Sequence, residues 1–428
     1  MTGAAAPSTA PAPTAGVPRS VLAARNGVAA VFALNGLAVA TWFARVPAVR
    51  EALELSAGRL GLLLLAMSAG AIVAMPTSGL VAQRLGTARA VVVATVLVAL
   101  GLATVGLSGG VVGSLAGVAV GLFALGFGSG MCDVAMNIEG AAVERRLGRT
   151  IMPRFHAAWS LGSVAGAGLG AGSARLGVPV AVHLTVLAAL VLAGTVAGAR
   201  AFLPATETTS AGADATAPGR RRDLLSAWRE PRTLLIGLFV LVMAFTEGSA
   251  NDWLAVAFID GYGLSEAAGA AVFGVFVVGM TVGRTAGTVA LDRWGRVPVL
   301  LGTILLAAVG AGLAVLAGSG PVAIVGVALW GLGASLGFPV GMSAAADDED
   351  RAPARVSVVA VIGYTAFLAG PPLLGFLGDQ VGTLRALLVV PLLLLPTLAL
   401  VPVTRRPHAI DEHVLHGEKV TGPTPGSE

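Results

Sequence analysis

Charge is scarce in this sequence: 12% of the residues are Asp, Glu, Lys or Arg, against 56% that are apolar. A water-soluble domain cannot cover its surface on that composition, so the soluble globular class is excluded and lipid is indicated. Aromatics are also few, at 5%, whereas glycine reaches 59 of 428 residues. This balance suits membrane helices that approach through small side chains, because burial alone cannot drive association in lipid. The single cysteine, Cys132, excludes an intramolecular disulfide and a thiolate metal cluster, and reads as a packing residue. Only one lysine, Lys419, is present, and the arginines are scattered between apolar stretches. That pattern argues for topogenic charge and against a nucleic-acid partner, despite a net charge of +4.

Other familiar signals are missing. The opening MTGAAAPSTAPAPTAGVPRS has no basic segment ahead of an apolar core, so it reads as a disordered tail and not as a cleaved signal peptide. The runs GFGSG at 126–130 and GAGLGAG at 166–172 follow no strand and precede no Lys-Ser/Thr, so they predict close helix packing and no nucleotide cofactor. His408, His413 and His416 are too dispersed for a metal site, and His183 reads as structural. No cofactor and no metal are expected.

What fills the chain is apolar runs long enough to cross a bilayer, which takes about 20 residues each. Twelve are read, at 25–46, 58–82, 88–107, 111–136, 154–175, 179–202, 232–257, 266–290, 297–317, 321–344, 355–378 and 383–404. The longest interruption divides the chain into a tail (1–20), a six-helix bundle (21–204), a linker (205–231), a second six-helix bundle (232–404) and a second tail (405–428). With both termini in the cytoplasm, 20 Arg and Lys419 fall inside and five Arg outside, and Arg284 lies within the eighth span. This bias predicts a multi-pass protein of the cytoplasmic (inner) membrane with N- and C-termini inside.

A shift of 209 positions superimposes Leu55-Ser56 on Leu264-Ser265, Gly70 on Gly279, Arg84 and Gly86 on Arg293 and Gly295, and Gly101 on Gly310. Two parallel repeats of six helices form a transporter architecture whose halves rock about a central site. The repeated element is GLVAQRLGTAR at 79–89 and TVALDRWGR at 288–296. It resembles the loop signature of the major facilitator superfamily (MFS), G-x-x-x-D-R-x-G-R, with Gly79, Gln83, Arg84 and Gly86 in the first copy and Asp292, Arg293, Gly295 and Arg296 in the second. The resemblance implies an all-α fold of twelve transmembrane helices in two bundles related by pseudo-two-fold symmetry. It also implies a lock that shuts the cytoplasmic side, weakened here because Gln83 replaces the family's Asp. A narrower resemblance, to the YbjJ-type bacterial permeases, rests on Arg45-Val46-Pro47, Asp133 to Asn137, Arg154 to Gly162, Glu247 to Trp253 and Gly363 to Asp379.

An ionisable group at membrane depth costs at least about 2.5 to 3.5 kcal/mol, so each is a functional candidate. Glu247 lies about 22 Å along its helix from Arg232 and is the candidate for proton coupling, weighed against a structural carboxylate hydrogen-bonded across helices. Arg45 and Asp252, with Trp253 beside it, are expected to pair in an outer gate, the alternative being that each reaches the headgroups. Asp133, reading as the end of the fourth helix with Asn137, is expected to meet Arg154 or His156 in an inner gate, against simple pairing of helix ends. Glu144 to Arg149 read as exposed topogenic charge. Arg284 could attract an anionic solute or pair with a carboxylate. Asn35, Trp42, Asn137, Trp159, Asn251, Trp330 and Tyr364 are the remaining candidates for the cavity wall, each against a packing or interfacial role. Pro371-Pro372 predict a bend.

The function this predicts is secondary transport of a small organic solute by alternating access, proton-coupled, by a monomer with no nucleic-acid partner. An exporter of drug-like apolar compounds is the alternative. A polytopic membrane enzyme would need a catalytic cluster in a loop, and a sensor or scaffold a sizeable soluble domain; neither is present in the sequence.

Overall fold

The structure, a computed structural model, describes residues 18–148, 151–204, 225–348 and 351–405. The three tail histidines and most of the linker lie outside the described residues. Among those described, every regular element is helical. The first half holds α1 (Arg19–Ala52), α2 (Ala57–Leu85), α3 (Thr87–Leu107), α4 (Leu115–Leu147), α5 (Met152–Arg175) and α6 (Val180–Ala199). The second half holds α7 (Pro231–Tyr262), α8 (Glu266–Trp294), α9 (Arg296–Leu316), α10 (Gly320–Ala334) and α11 (Gly337–Ala345) in one broken span, then α12 (Ala352–Val381). The last span is broken too, into α13 (Thr383–Ala386), α14 (Val389–Thr397) and a 3-10 segment, Leu398–Thr404.

Eleven of these spans are long and apolar enough to cross a membrane. The twelfth, α5, has 24 residues rich in Gly, Ala and Ser. Its low hydropathy follows from its position: it packs on α1 and faces the other half through α8, so small residues serve it better than lipid-facing leucines. Large apolar side chains elsewhere point outward, among them Leu62, Val120, Leu190, Val309, Phe376 and Leu392, as a lipid-facing surface requires. Alternation of the spans places residues 19, 147, 231 and 404 on one face, called here the termini face, and the turns at 53–56, 263–265 and 382 on the far face.

Glycine sets the helix spacing at repeat-equivalent places. A Cβ on Gly36 would strike the Trp159 carbonyl, and one on Gly162 the Ala33 carbonyl, so α1 and α5 touch backbone to backbone. Gly101 against Gly121 and Gly310 against Gly326 do the same for α3/α4 and α9/α10, with the added Cβ 2.7 Å and 2.6 Å from the facing carbonyls. Gly86 and Gly295, at φ 77° and 78°, turn the chain tightly between α2 and α3 and between α8 and α9. The α12 helix runs uninterrupted through Pro371 and Pro372. On the far-face side of the seam, Gly61 sits against the Pro371 carbonyl and Gly375 against that of Ala57.

Candidate solute cavity and gates

Between the halves lies a cavity of about 1560 Å³ that reaches the termini face, where Arg154, Asp292, Arg296 and Arg405 line it. Its deepest polar layer is set by helix geometry. Asp133 lies about 21 Å along α4 from Leu147, Glu247 about 24 Å along α7 from Pro231, and Tyr364 about 18 Å along α12 from Ala352. A large cavity with a few convergent polar groups is the usual form of a small-molecule site.

Within that layer Glu247 and Arg284 form a pair across α7 and α8. One guanidinium nitrogen donates to both carboxylate oxygens, at 3.1 and 3.2 Å. Both residues line the cavity. The sequence left Arg284 open between solute and carboxylate; here the carboxylate holds it. His156 also lines the cavity, edge-on to Phe32 at 5.2 Å between ring centroids.

The far face is shut by contacts between the halves. Arg50 donates to Asp260 at 2.6 Å, and Thr383 holds the same oxygen at 2.8 Å. Asp379 accepts from the Gly58 N–H at 3.0 Å and from the Ser56 hydroxyl at 3.2 Å. Arg45, almost fully buried, donates to the Val178 carbonyl and lies 3.3 Å from Glu266. The expected Arg45 to Asp252 pair is therefore corrected to Arg45 and Glu266. Repeat equivalence fixes the depth of a residue and not the direction of its side chain, and Arg45 points to the start of α8. Trp253 is buried, and its indole N–H has no partner among the described residues. Arg50, Asp260, Glu266 and Asp379 were missed as contacts between the halves because acids and arginines near span ends read as headgroup anchors.

The passage from Asp133 to His156 is also corrected. Helix α4 continues to Leu147, so Asp133 and Asn137 lie inside it, and the Asn137 amide donates back to the Asp133 carboxylate at 3.2 Å. Asp133, Arg154 and His156 share the cavity wall, but Asp133 forms an ion pair with neither. The expected pairing across the two helices is absent. Glu144 is not simple surface charge: its carboxylate accepts from the N–H groups of Ile151 and Met152 at 2.7 and 2.8 Å and caps α5.

Of the other cavity candidates, Trp159 and Tyr364 line the wall, whereas Asn35, Trp42, Asn137, Asn251 and Trp330 do not. Asn35 accepts from Ser129 across α1 and α4. Trp42 is fully buried, and Trp330 packs edge-on against Phe276. An indole or amide in the sequence looks the same whether it faces a cavity or a neighbouring helix.

In the second copy of the loop motif, Asp292, Gly295 and Arg296 reach the cavity mouth. Arg296 donates to both oxygens of Asp347, at 2.8 and 2.9 Å, and to Ser343. Arg232 joins Asp347 at 3.2 Å. Arg293 turns away, over the ring of Trp294. Nearby, Glu230 receives two hydrogen bonds from Arg355, and these hold its carboxyl below the ordinary carboxylate range.

Two six-helix halves closed at one face around a polar cavity open at the other define a secondary transporter. The sequence model of the Major Facilitator Superfamily matches residues 28–287 and 253–423. An uncharacterised MFS-type transporter of Yersinia pestis is 32% identical over 372 residues, 86% of this chain and 92% of the relative. An uncharacterised transporter of Sinorhizobium fredii is 31% identical over 389 residues, 91% and 100% of the two chains. Among solved structures, the fucose:proton symporter of E. coli shares the fold at a TM-score of 0.63 and 18% identity, covering 91% of this chain and 100% of that one. The chain belongs to the major facilitator superfamily. It is a multi-pass membrane transporter of small-molecule solutes and not an enzyme.

Proposed function

We propose that this chain moves a small organic solute across the cytoplasmic membrane by proton-coupled alternating access, as a monomer, with both termini in the cytoplasm. The open termini face is then the cytoplasmic side, and the structure corresponds to an inward-open state. The arginine asymmetry supports that orientation. The narrower likeness to YbjJ-type permeases fits the same reading.

The observation that carries the coupling is the Glu247 and Arg284 pair in the wall of a cavity closed at one face. In the inward-open state the cavity reaches the carboxylate, which Arg284 holds at 3.1 Å. When the cavity closes and dries, the paired ions lose solvation, and proton uptake by Glu247 frees Arg284 to turn toward the solute or another acceptor. A proton is thus carried only when the halves have changed places. A wholly apolar cargo fits less well, since Asp133, Glu247, Arg284 and His156 all face the cavity.

Reconstitution in proteoliposomes with an imposed pH gradient tests this. Solute accumulation should follow the gradient in the wild type and be lost in Glu247→Gln, while exchange of labelled for unlabelled solute without a gradient continues. Gradient-driven accumulation that survives Glu247→Gln removes Glu247 from the coupling role.

A further inference from the structure

At the deepest polar layer of the cavity the charges do not balance. Glu247 is paired with Arg284 at 3.1 Å, but among the described residues no cation lies within ion-pair distance of Asp133, whose carboxylate there accepts only from Asn137. Asp133 is nonetheless exposed to the cavity. The mouth arginines do not compensate it: Arg296 is committed to Asp347 and Ser343, and Arg154 lies in the first turn of α5, near the entrance. A carboxylate that deep favours a positive partner, because the surrounding helices screen its charge less than water does.

The wall beside it is aromatic. Tyr364 lines the same cavity as Asp133, and its ring is flanked by Phe338 at 6.3 Å and Phe367 at 6.2 Å between centroids. Trp159 adds an indole from the other half. Ring faces next to a free carboxylate are the chemistry that recognises an organic ammonium group, through cation–π attraction and a charge-assisted hydrogen bond. The Thr281 and Ser160 hydroxyls on the same wall suit polar groups on the remainder of the solute.

We propose, resting on the transport reading above, that the cavity takes a protonated organic amine, its ammonium group held by Asp133 against the aromatic wall of Tyr364, Phe338, Phe367 and Trp159. The amine supplies the charge that Asp133 lacks, and the Glu247 and Arg284 pair stays available for the proton.

The test is equilibrium binding to the purified full-length protein of two sets of similarly sized compounds that carry a cationic, a neutral or an anionic group. One set is glucosamine, glucose and glucuronate; the other is 2-phenylethylamine, 2-phenylethanol and phenylacetate. In at least one set the amine should bind about tenfold or more tightly than its neutral and acidic counterparts. Asp133→Asn should erase that preference and Asp133→Glu should restore part of it. Equal or tighter binding of the neutral or acidic members, no amine binding in either set, or a preference that survives Asp133→Asn overturns the assignment. If amines bind through Asp133 but no gradient drives them, the coupling reading fails and this one stands. If a solute of another class is driven by the gradient, the reverse holds.

Discussion

The two halves of this transporter share a backbone plan and differ in what they do with charge. Ser56 and Ser265 cap α2 and α8 in the same way, each accepting from the N–H three residues on at 3.3 Å. Gly86 and Gly295 make the same left-handed turn. The start of α3 and the start of α9 then clasp the end of the span that follows, with different chemistry. In the first half Thr87 donates to the fully buried Glu139 at 2.5 Å, and the Leu203 N–H donates to its other oxygen at 2.7 Å. In the second half Arg296, the repeat equivalent of Thr87, holds Asp347 together with Arg232. Deeper in the cavity the contrast recurs: the second half contributes a closed pair, Glu247 and Arg284, and the first contributes Asp133, which has no ion-pair partner among the described residues. Duplication has kept the turns and close packing, while the charged groups facing the cavity differ between the copies.

The largest effect should come from breaking the division itself. Glu247→Gln is expected to abolish gradient-driven accumulation in proteoliposomes while exchange persists; equal loss of both would mean that the residue supports the fold and not the coupling.

Next is the clasp. Removing the buried acceptor by Glu139→Ala leaves the Thr87 hydroxyl and Leu203 N–H unsatisfied, and should lower stability by about 3 kcal/mol. Asp347→Asn in the second half should cost less, about 1 to 2 kcal/mol, because Arg232 keeps solvent access and carbonyl partners. Thermal unfolding in detergent reads both. A larger loss for Asp347→Asn would reverse the comparison.

The far-face contacts give a smaller effect. Asp260→Asn weakens the tie to Arg50 and loosens the hold of Thr383, and should shift the balance toward the state open at the far face by about 1 kcal/mol, or roughly fivefold. Labelling of a cysteine placed at Glu54 or Leu264 should speed up accordingly.

Smallest is a pH effect at the termini face. The folded-state pKa of Glu230 is depressed by Arg355, so its stabilisation is present above the ordinary carboxylate value and is lost as pH falls through the folded one. The melting temperature should show a small acid-side decline that Glu230→Gln removes; an unchanged acid limb in that variant would discount the pair.

Fold and family were legible in the sequence because lipid forces each span to announce itself as an apolar run, and because the repeat and its loop motif survive at a fixed offset. Helix ends were less so: α4 runs past its expected limit at 136 to Leu147, since Asp133, Glu139 and Glu144 interrupt the apolar run while each finds a helical or capping role. Site residues divided along the same line. Glu247 and Arg284 stood out because an ion at membrane depth needs a reason. Trp42 and Trp330 took the packing side of the alternative, which the sequence left open because nothing in it gives the direction of a side chain on a helix that is apolar all round. The Arg45 partner, Glu266, lay at the start of α8 in the other half, where an acid looks like an anchor.

The central claim is that the halves exchange one closed face for the other, and paired distance measurements test it most directly. Spin labels across the far face, on α2 and α12, and across the termini face, on α5 and α11, would be followed by pulsed spectroscopy in lipid at acid and neutral pH, with and without solute. The account predicts two populations in which a longer far-face distance always accompanies a shorter termini-face distance. Distances that vary independently, or a far face that never opens, would contradict it.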